Sequence, residues 1–250
     1  MSSTNMGKMT AVAACASITV AYLALQPFRG ALYVLSNTSE AAFSLIPLLL
    51  SFYVWKTKTP FIKSTRCLAI GFLMVSLGEV TYSIYALFLG IAIPYPSIAD
   101  FFWLSSYPLI FVGIAVFLQQ FRFAINRKIV TIAISISAVV TGLIAVFLII
   151  PVDSISPDLM TSIVGLAYPI LSLGLLFTSI VGILMFRGGA MSRGWRWLAL
   201  GSILFAIADI GFSYFTATGS WYDGHPFELL FDYGYVCFGL SLYSQLKDIW

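Results

Sequence analysis

Long apolar segments, separated by short polar breaks, run along the whole chain. A helix needs about 20 mostly apolar residues to cross a bilayer. Runs that are this long and unbroken favour helices over barrel strands, which are short and alternate in polarity. Loop-forming breaks such as Gln26–Pro27, Pro94–Pro96, Pro151–Asp153 and Asp223–Pro226 separate the runs. The sequence therefore predicts an all-α integral membrane protein with eight spans, at roughly 9–26, 39–55, 66–90, 98–121, 129–150, 160–186, 195–218 and 227–246.

Composition supports a lipid environment. The chain is 60% hydrophobic and only 9% charged, whereas a soluble domain carries about 25% charged residues. A soluble protein of this size has too much surface to cover with so few polar side chains. The formal net charge of +3 is too small, and too dispersed, to indicate nucleic-acid binding. The expected partner is therefore the lipid bilayer.

The basic residues test the span prediction independently. With eight spans, every Lys and Arg except Arg29 falls on one side of the membrane, and every acid except Asp248 falls on the other side or in the outer part of a span. The positive-inside rule then places both termini in the cytoplasm of a multi-pass cell-membrane protein. Lys8 before an apolar run also fits a signal peptide, but no small-residue cleavage site follows, so the first helix is expected to be retained.

An internal duplication is visible between the third and seventh spans, which align without a gap at an offset of 130 residues. The fourth and eighth spans align at an offset of 128. The aligned pairs are Arg66 with Arg196, Leu68 with Leu198, Ala69 with Ala199, Gly71 with Gly201, Glu79 with Asp209, Ser83 with Ser213, Asp100 with Glu228, Tyr107 with Tyr235 and, in the second and sixth spans, Pro47 with Pro169. Two tandem four-helix repeats, residues 1–125 and 126–250, are predicted, related by a pseudo-twofold axis along the membrane normal.

Carboxylates inside the spans are the main functional clue, because a charge at the bilayer centre costs about 2.5–3.5 kcal/mol on insertion scales. Helical spacing places each acid on one face with Ser, Tyr or Trp side chains. We expect these faces to meet in an acidic, aromatic-lined pocket open to the outside. The alternative is that the acids only form interhelical hydrogen bonds. The predicted ligand-binding residues are Glu79, Tyr82, Ser83, Asp100, Tyr107, Asp209, Ser213, Glu228, Asp232 and Tyr235.

Several kinds of site are excluded or disfavoured. A metal site would need His225, the only histidine, with Asp223 or Glu228, and a turn with a solvated histidine is the favoured interpretation. One histidine excludes bis-histidine haem and multi-histidine zinc hydrolases, and no lysine lies in a span to hold retinal. No nucleophile is paired with a base, so neither an enzyme nor a cofactor is predicted. Cys15, Cys67 and Cys237 lack metal spacing.

Two short motifs remain. Asn37–Thr38–Ser39 fits a glycosylation acceptor on the outer side. The stretch Pro96-Ser-Ile-Ala-Asp100-Phe-Phe-Trp-Leu-Ser-Ser-Tyr107-Pro108 resembles a P-S-x-A-D-x-x-(aromatic)-L-x-x-Y-P pattern in the membrane-embedded sensor regions that precede archaeal histidine kinases and bacterial diguanylate cyclases. The region 219–225, with Asp232 and Tyr235, is similar to a later part of the same regions.

This resemblance implies a sensory module of archaeal or bacterial origin, with Asp100, Tyr107 and Pro108 as its marked positions. No kinase, cyclase or coiled-coil domain follows the eighth span. We therefore expect a membrane sensor or ligand-binding module that takes a small polar or cationic ligand and signals through a partner protein. The alternatives are a cation, proton or small-molecule transporter, to which tandem repeats and intramembrane acids are suited, and a structural subunit of a larger membrane complex.

Overall fold

The computed structural model describes residues 3–57, 61–90, 94–144, 159–189 and 191–249. Within these ranges the chain forms α-helices and no β-strand, so the all-α prediction is confirmed. The helices are α1 (Ser3–Leu25), α2 (Arg29–Lys56), α3 (Ile62–Ser83), α4 (Ile98–Gln119), α5 (Arg127–Ile144), α6 (Leu159–Met185), α7 (Ser192–Ala217) and α8 (Glu228–Ile249). A π-helical segment, Ile84–Leu89, extends α3.

Five of these helices are long and apolar enough to cross a membrane: α2, α3 with its π-helical extension, α4, α6 and α7. In α1 the apolar part is shorter, Met9–Leu25. The α5 helix is described only to Ile144, and α8 carries Glu228 and Asp232 among its first residues. The predicted break Pro151–Asp153, and the end of the fifth predicted span at 145–150, lie outside the described residues.

Six helices form a closed ring. Going around it, α2 packs on α3, α3 on α4, α4 on α6, α6 on α7, α7 on α8, and α8 returns to α2. The other two helices lie outside the ring, with α1 against α2 and α8, and α5 against α6. The predicted repeats match α2 with α6 and α4 with α8. The contact between α2 and α8 is therefore the repeat equivalent of the contact between α6 and α4.

The second helix starts ten residues earlier than its predicted span, at Arg29 instead of residue 39. The polar stretch around residues 36–39 suggested a break, but these side chains hydrogen-bond to the carbonyls of the preceding turn and leave the helix intact. Asn37 is among them: its Nδ2 donates to the carbonyl oxygen of Tyr33 at 2.9 Å. Because Asn37 is only 3% exposed, the predicted glycan acceptor is wrong.

The two ends of the ring differ in charge. At one end α2 finishes with Lys56 and α3 begins near Lys63 and Arg66. The turns before α5 and α7, and the first residues of these two helices, carry the remaining described arginines of this end. We call this the basic end. At the other end α3 and α7 finish, α4 and α8 begin, and the short 218–227 loop joins α7 to α8. We call this the acidic end, because Asp100, Asp223 and Glu228 lie there.

The middle of the ring is packed with large apolar side chains. Three aromatic rings meet there: Phe72 lies 5.7 Å from Phe238, and Phe205 lies 5.1 Å from Phe238, measured between ring centroids. We call these three rings the aromatic layer. Towards the basic end the core continues with Phe117 and the fully buried Trp195. This packing separates the polar groups of the acidic end from the basic end.

Candidate functional site: an acidic, aromatic cavity inside the ring

A cavity opens inside the ring on the acidic-end side of the aromatic layer. It contains about 80 Å³ of space. Every ring helix contributes to its wall, as does the 218–227 loop. Binding pockets for drug-sized molecules are typically about 300–1,000 Å³ in volume, so this cavity has room only for a small ligand.

Aromatic rings and carboxylates make up almost the whole wall. Five lining residues are carboxylates: Glu40, Glu79, Asp209, Asp223 and Glu228. Nine are aromatic: Tyr82, Trp103, Tyr107, Tyr168, Phe205, Phe212, Trp221, Phe231 and Tyr235. Val75 and Ser106 complete the wall, and none of the described lining residues is basic.

Two tyrosines reach across the ring to the carboxylates at the bottom of the cavity. Tyr107 on α4 donates its hydroxyl to Oδ2 of Asp209 on α7, at 2.6 Å. Tyr235 on α8 donates its hydroxyl to Oε1 of Glu79 on α3, at 2.5 Å. Each tyrosine belongs to one predicted repeat, and its acid belongs to the other. The two hydrogen bonds therefore join the halves of the chain to each other.

A second donor holds each of these carboxylates. Trp103 Nε1 donates to Oε1 of Glu79 at 3.0 Å, and the Ser172 hydroxyl donates to Oδ2 of Asp209. Both carboxylates are buried, with 5% of Glu79 and 1% of Asp209 exposed. All four hydrogen bonds reach only one oxygen of each group. Both residues line the cavity, and the second oxygens, Oε2 of Glu79 and Oδ1 of Asp209, take no part in these four bonds.

The rim of the cavity is held by the 218–227 loop and the start of α8. Glu228 Oε2 accepts from the backbone N–H of Gly224 at 2.8 Å and from the Tyr22 hydroxyl at 3.2 Å. The Tyr82 hydroxyl donates to Asp223 Oδ1 at 2.8 Å. These bonds tie the loop to α1 and α3. The rim is therefore built by groups that also belong to the cavity wall.

Asp100 lies in a neighbouring cleft instead of in the cavity. It completes a capping box at the start of α4, where its Oδ2 accepts from the backbone N–H of Ser97 at 2.6 Å. Its Oδ1 accepts from the Tyr168 hydroxyl at 2.7 Å. The cleft shares Tyr82 and Trp103 with the cavity wall. Asp100 thus fixes the helix end and Tyr168 beside the cavity.

Six of the ten predicted ligand-binding residues line the cavity: Glu79, Tyr82, Tyr107, Asp209, Glu228 and Tyr235. The remaining three besides Asp100 make packing contacts. Ser83 donates to the carbonyl oxygen of Asn37 at 2.7 Å, and Ser213 donates to that of Gly165 at 2.8 Å. Asp232 is fully buried, is not among the lining residues of the cavity, and has no hydrogen-bond partner for either carboxylate oxygen within the described residues.

Sequence reasoning missed several wall residues. Glu40 lies in α2, and the same argument that identified Glu79 applies to it, because it is a carboxylate within a span. Asp223 was considered only as a metal ligand. Phe212 shares a helix face with Asp209 by its spacing in the sequence. Tyr168, Trp221, Phe205 and Phe231 carry no sequence signal that separates them from other aromatic residues of the chain.

His225 follows a turn at Asp223–Gly224, is partly exposed, and packs among aromatic rings. Its ring centroid lies 4.5 Å from that of Phe215 and 5.0 Å from that of Trp221, and its Nδ1 accepts from the backbone N–H of Phe227 at 3.3 Å. Burial lowers the pKa of His225, because it disfavours the imidazolium. No three His, Cys, Asp or Glu residues in the described part of the chain are grouped to hold a metal ion.

Comparison with protein-family models, with curated proteins and with solved structures finds no match. The geometry of the cavity is therefore the basis for assigning a function.

The loop carboxylate predicts a pH-dependent effect. Burial raises the pKa of Asp223 above its usual value, and the hydrogen bond from Tyr82 partly offsets this. A raised folded-state pKa favours the folded protein only at low pH, and this contribution is lost as pH rises through that pKa. Asp223→Asn keeps an acceptor for Tyr82 and removes the charge. We expect its melting temperature to exceed that of the wild type at neutral pH, by no more than a few degrees.

The difference should shrink towards zero as the pH is lowered through the raised pKa, because wild-type Asp223 then becomes neutral as well. Thermal unfolding of both proteins in the same detergent, at a series of pH values from 3 to 8, measures this. A difference that stays constant across the series would contradict a buried charge at this position.

Proposed function

We propose that the chain is an integral membrane ligand-binding module, not an enzyme, with an outward-facing pocket whose occupancy is signalled to a partner protein. One observation carries the proposal: all six ring helices contribute to one acidic, aromatic cavity, which lies at the acidic end of the ring. A ligand held there contacts both halves of the chain at once.

The proposed membrane topology has eight spans, with α1, α5 and α8 crossing the bilayer beside the five helices that are long and apolar enough on their own. It is supported by the packing of α8 between α2, α7 and α1. A helix that is covered by other helices tolerates polar residues that would be costly in contact with lipid. The positive-inside rule places the basic end, and with it both termini, in the cytoplasm. The cavity then faces outwards.

The proposed tandem repeat is supported by matched contacts. A Cβ added at Gly71 would lie 2.6 Å from Ile110, and one added at Gly201 would lie 2.9 Å from Phe238. Gly201 follows Gly71 by 130 residues and Phe238 follows Ile110 by 128, the two offsets of the sequence alignment. The pairing of Tyr107 with Asp209 and of Tyr235 with Glu79 follows the same exchange.

Signalling requires a ligand that binds one packing of the ring more tightly than another. The exchanged hydrogen bonds couple the cavity to the relative position of the two halves, because a ligand that competes for Glu79 or Asp209 alters bonds between them. The resemblance of 96–108 to sensor regions agrees with this role. A partner would contact the basic end.

The proposal predicts that water-soluble reagents reach the cavity from outside the cell only. Ser106 lines the cavity, whereas Ser241 lines a smaller cavity beyond the aromatic layer, and each is 2% exposed. In a chain whose three native cysteines are replaced by alanine, Ser106→Cys and Ser241→Cys are matched variants. The reagent is a small, membrane-impermeant methanethiosulfonate that carries a trimethylammonium group.

We expect Ser106→Cys to react in intact cells, and Ser241→Cys to stay unreactive until the membrane is permeabilised. Labelling is measured by the loss of subsequent reaction with a fluorescent maleimide after denaturation. If Ser106→Cys reacts only after permeabilisation, or not even then, the cavity is not an outward ligand site and the proposal fails.

A transporter is the second candidate, favoured by the presence of a cavity on each side of the aromatic layer. The cavity towards the basic end is small, with about 20 Å³ of space, and is lined in part by Ser64, Ser241 and Gln245. Movement of Phe72 and Phe238 would join the two. Flux of tetramethylammonium or protons into liposomes separates the candidates: wild-type flux that Glu79→Gln removes supports a carrier, and flux equal to that of empty liposomes excludes one for these ions.

A further inference from the structure

The acidic cavity wall indicates the charge of the ligand that it would bind. Five carboxylates share the wall, and the described lining residues include no Lys, Arg or His. Burying like charges together without a counter-charge is costly, so such groups either hold protons or meet a cation. A cationic ligand relieves this cost, whereas an anionic ligand adds to it. The geometry therefore favours a positively charged ligand.

The two carboxylates at the bottom of the cavity indicate where the charge would lie. Glu79 and Asp209 line the cavity, each accepts two hydrogen bonds on one oxygen, and their second oxygens take no part in these bonds. Four donors fix the orientation of these carboxylates before any ligand arrives. A preorganised pair of acceptors loses little freedom on binding, which favours affinity.

The aromatic wall distinguishes an organic cation from a metal ion. Nine of the lining residues are aromatic, and ring faces attract ammonium groups but supply no lone pairs that metal ions prefer. The rings are mutually ordered: Tyr82 lies 5.6 Å from Trp103, and Phe212 lies 5.0 Å from Trp221, between centroids. In the described residues the acids are also not grouped as a metal-ion site.

We propose that the cavity binds a small organic cation, an amine or a quaternary ammonium compound, with its charge between Glu79 and Asp209 and its alkyl groups against the aromatic wall. This inference rests on the proposed function, in that the cavity must be a ligand site. It adds the chemical class of the ligand. The cavity contains about 80 Å³ of space, and the cleft beside it, which shares Tyr82 and Trp103, contains about 230 Å³, so the expected ligand is a small cation of about the size of tetramethylammonium or choline.

The test compares choline with 3,3-dimethyl-1-butanol, its neutral isostere, in which carbon replaces the ammonium nitrogen. Binding of each to the purified full chain in detergent is measured by calorimetry, and by protection of Ser106→Cys from the thiol reagent. Tetramethylammonium chloride and sodium chloride, at equal concentrations, separate an organic from an inorganic cation. The binding variants are Glu79→Gln, Asp209→Asn and Trp221→Leu.

The matched control is Trp55→Leu, because Trp55 lies at the basic end and stacks on Phe52 at a centroid distance of 5.5 Å, away from the cavity. We expect choline and tetramethylammonium to bind and to protect Ser106→Cys. Each binding variant should raise the Kd of choline roughly tenfold or more, and Trp55→Leu should leave it unchanged. Circular dichroism and size-exclusion chromatography verify that each variant is folded.

Equal binding of choline and its neutral isostere would overturn the inference, as would equal protection by sodium chloride. So would the absence of binding by every organic cation at 10 mM to wild-type protein whose Ser106→Cys variant is labelled from outside. In each of these results the proposed ligand site survives and its chemical class does not. A cavity that cannot be labelled at all refutes the proposed function instead.

Discussion

Replacing Gly71 or Gly201 by valine is expected to lower the free energy of unfolding by roughly 3 kcal/mol or more, because both glycines sit at close helix contacts. A Cβ at Gly71 would lie 2.6 Å from Cγ1 of Ile110 and 3.1 Å from its backbone nitrogen, and one at Gly201 would lie 2.9 Å from two ring carbons of Phe238. The valine methyl groups reach further still. The α3–α4 and α7–α8 pairs must therefore move apart.

The measurement is the melting temperature of each purified variant in one detergent, followed by fluorescence and by size-exclusion chromatography. A loss of about 3 kcal/mol corresponds to roughly 6–12 °C for a chain of this length. Gly142→Val is the matched control, since an added Cβ there meets no atom within 4 Å. Its melting temperature should stay within about 2 °C of the wild type.

The two variants together test the repeat as well as the packing. If the halves are equivalent, Gly71→Val and Gly201→Val should destabilise by similar amounts, with Gly71→Val the more severe because its close neighbour includes a backbone atom that cannot rotate away. A harmless Gly71→Val beside a damaging Gly201→Val would mean that α3 and α4 are not packed as closely as α7 and α8.

The helical class could be predicted from the sequence because hydropathy reports directly on the solvent around the chain. The start of α2 could not. Ser36, Asn37 and Ser39 are polar, and polarity in a sequence is ambiguous between a loop and a helix whose hydroxyl and amide groups bond to its own carbonyls. Placing the helix start too late also put Glu40 at the predicted boundary, where its role in the cavity wall was overlooked.

The part of the candidate site that could be predicted consists of residues that are costly to place in a membrane. A carboxylate such as Glu79 or Asp209 costs free energy in lipid, so its presence in a span indicates a specific role from the sequence alone. The hydrogen-bond partners of Ser83 and Ser213 could not be predicted in this way. They share a helix face with the acids, but a short hydroxyl reaches the neighbouring backbone wherever two helices are close, as at Asn37 and Gly165.

The sequence also could not predict that each tyrosine hydrogen-bonds to the acid of the other half. Alignment pairs Tyr107 with Tyr235 and Glu79 with Asp209, but it does not say whether each tyrosine bonds to the acid of its own half or of the other half. That choice is made by side-chain packing across the ring, because α4 also lies next to α3 and α8 next to α7, whose acids belong to the same half. It is a property of tertiary packing, and it is open to a direct test.

Tyr107→Phe and Tyr235→Phe are each expected to lower the free energy of unfolding by about 1–3 kcal/mol, since each removes a donor from a buried carboxylate. The bonds lost are those to Asp209 at 2.6 Å and to Glu79 at 2.5 Å. Tyr53→Phe is the control, because Tyr53 is 62% exposed. Melting temperatures in detergent should fall by several degrees for the first two variants and remain unchanged for the third.

A double-mutant cycle then identifies the acid that each tyrosine holds. Tyr107→Phe combined with Asp209→Asn should be less destabilising than the sum of the single variants, because both remove the same interaction. When Tyr107→Phe is combined with Glu79→Gln, the effects should be closer to additive, because Tyr107 interacts with Glu79 only electrostatically and without a hydrogen bond. If the coupling instead appeared between Tyr107 and Glu79, each half would bond within itself. A ligand at these carboxylates would then have no means of shifting one half of the ring against the other.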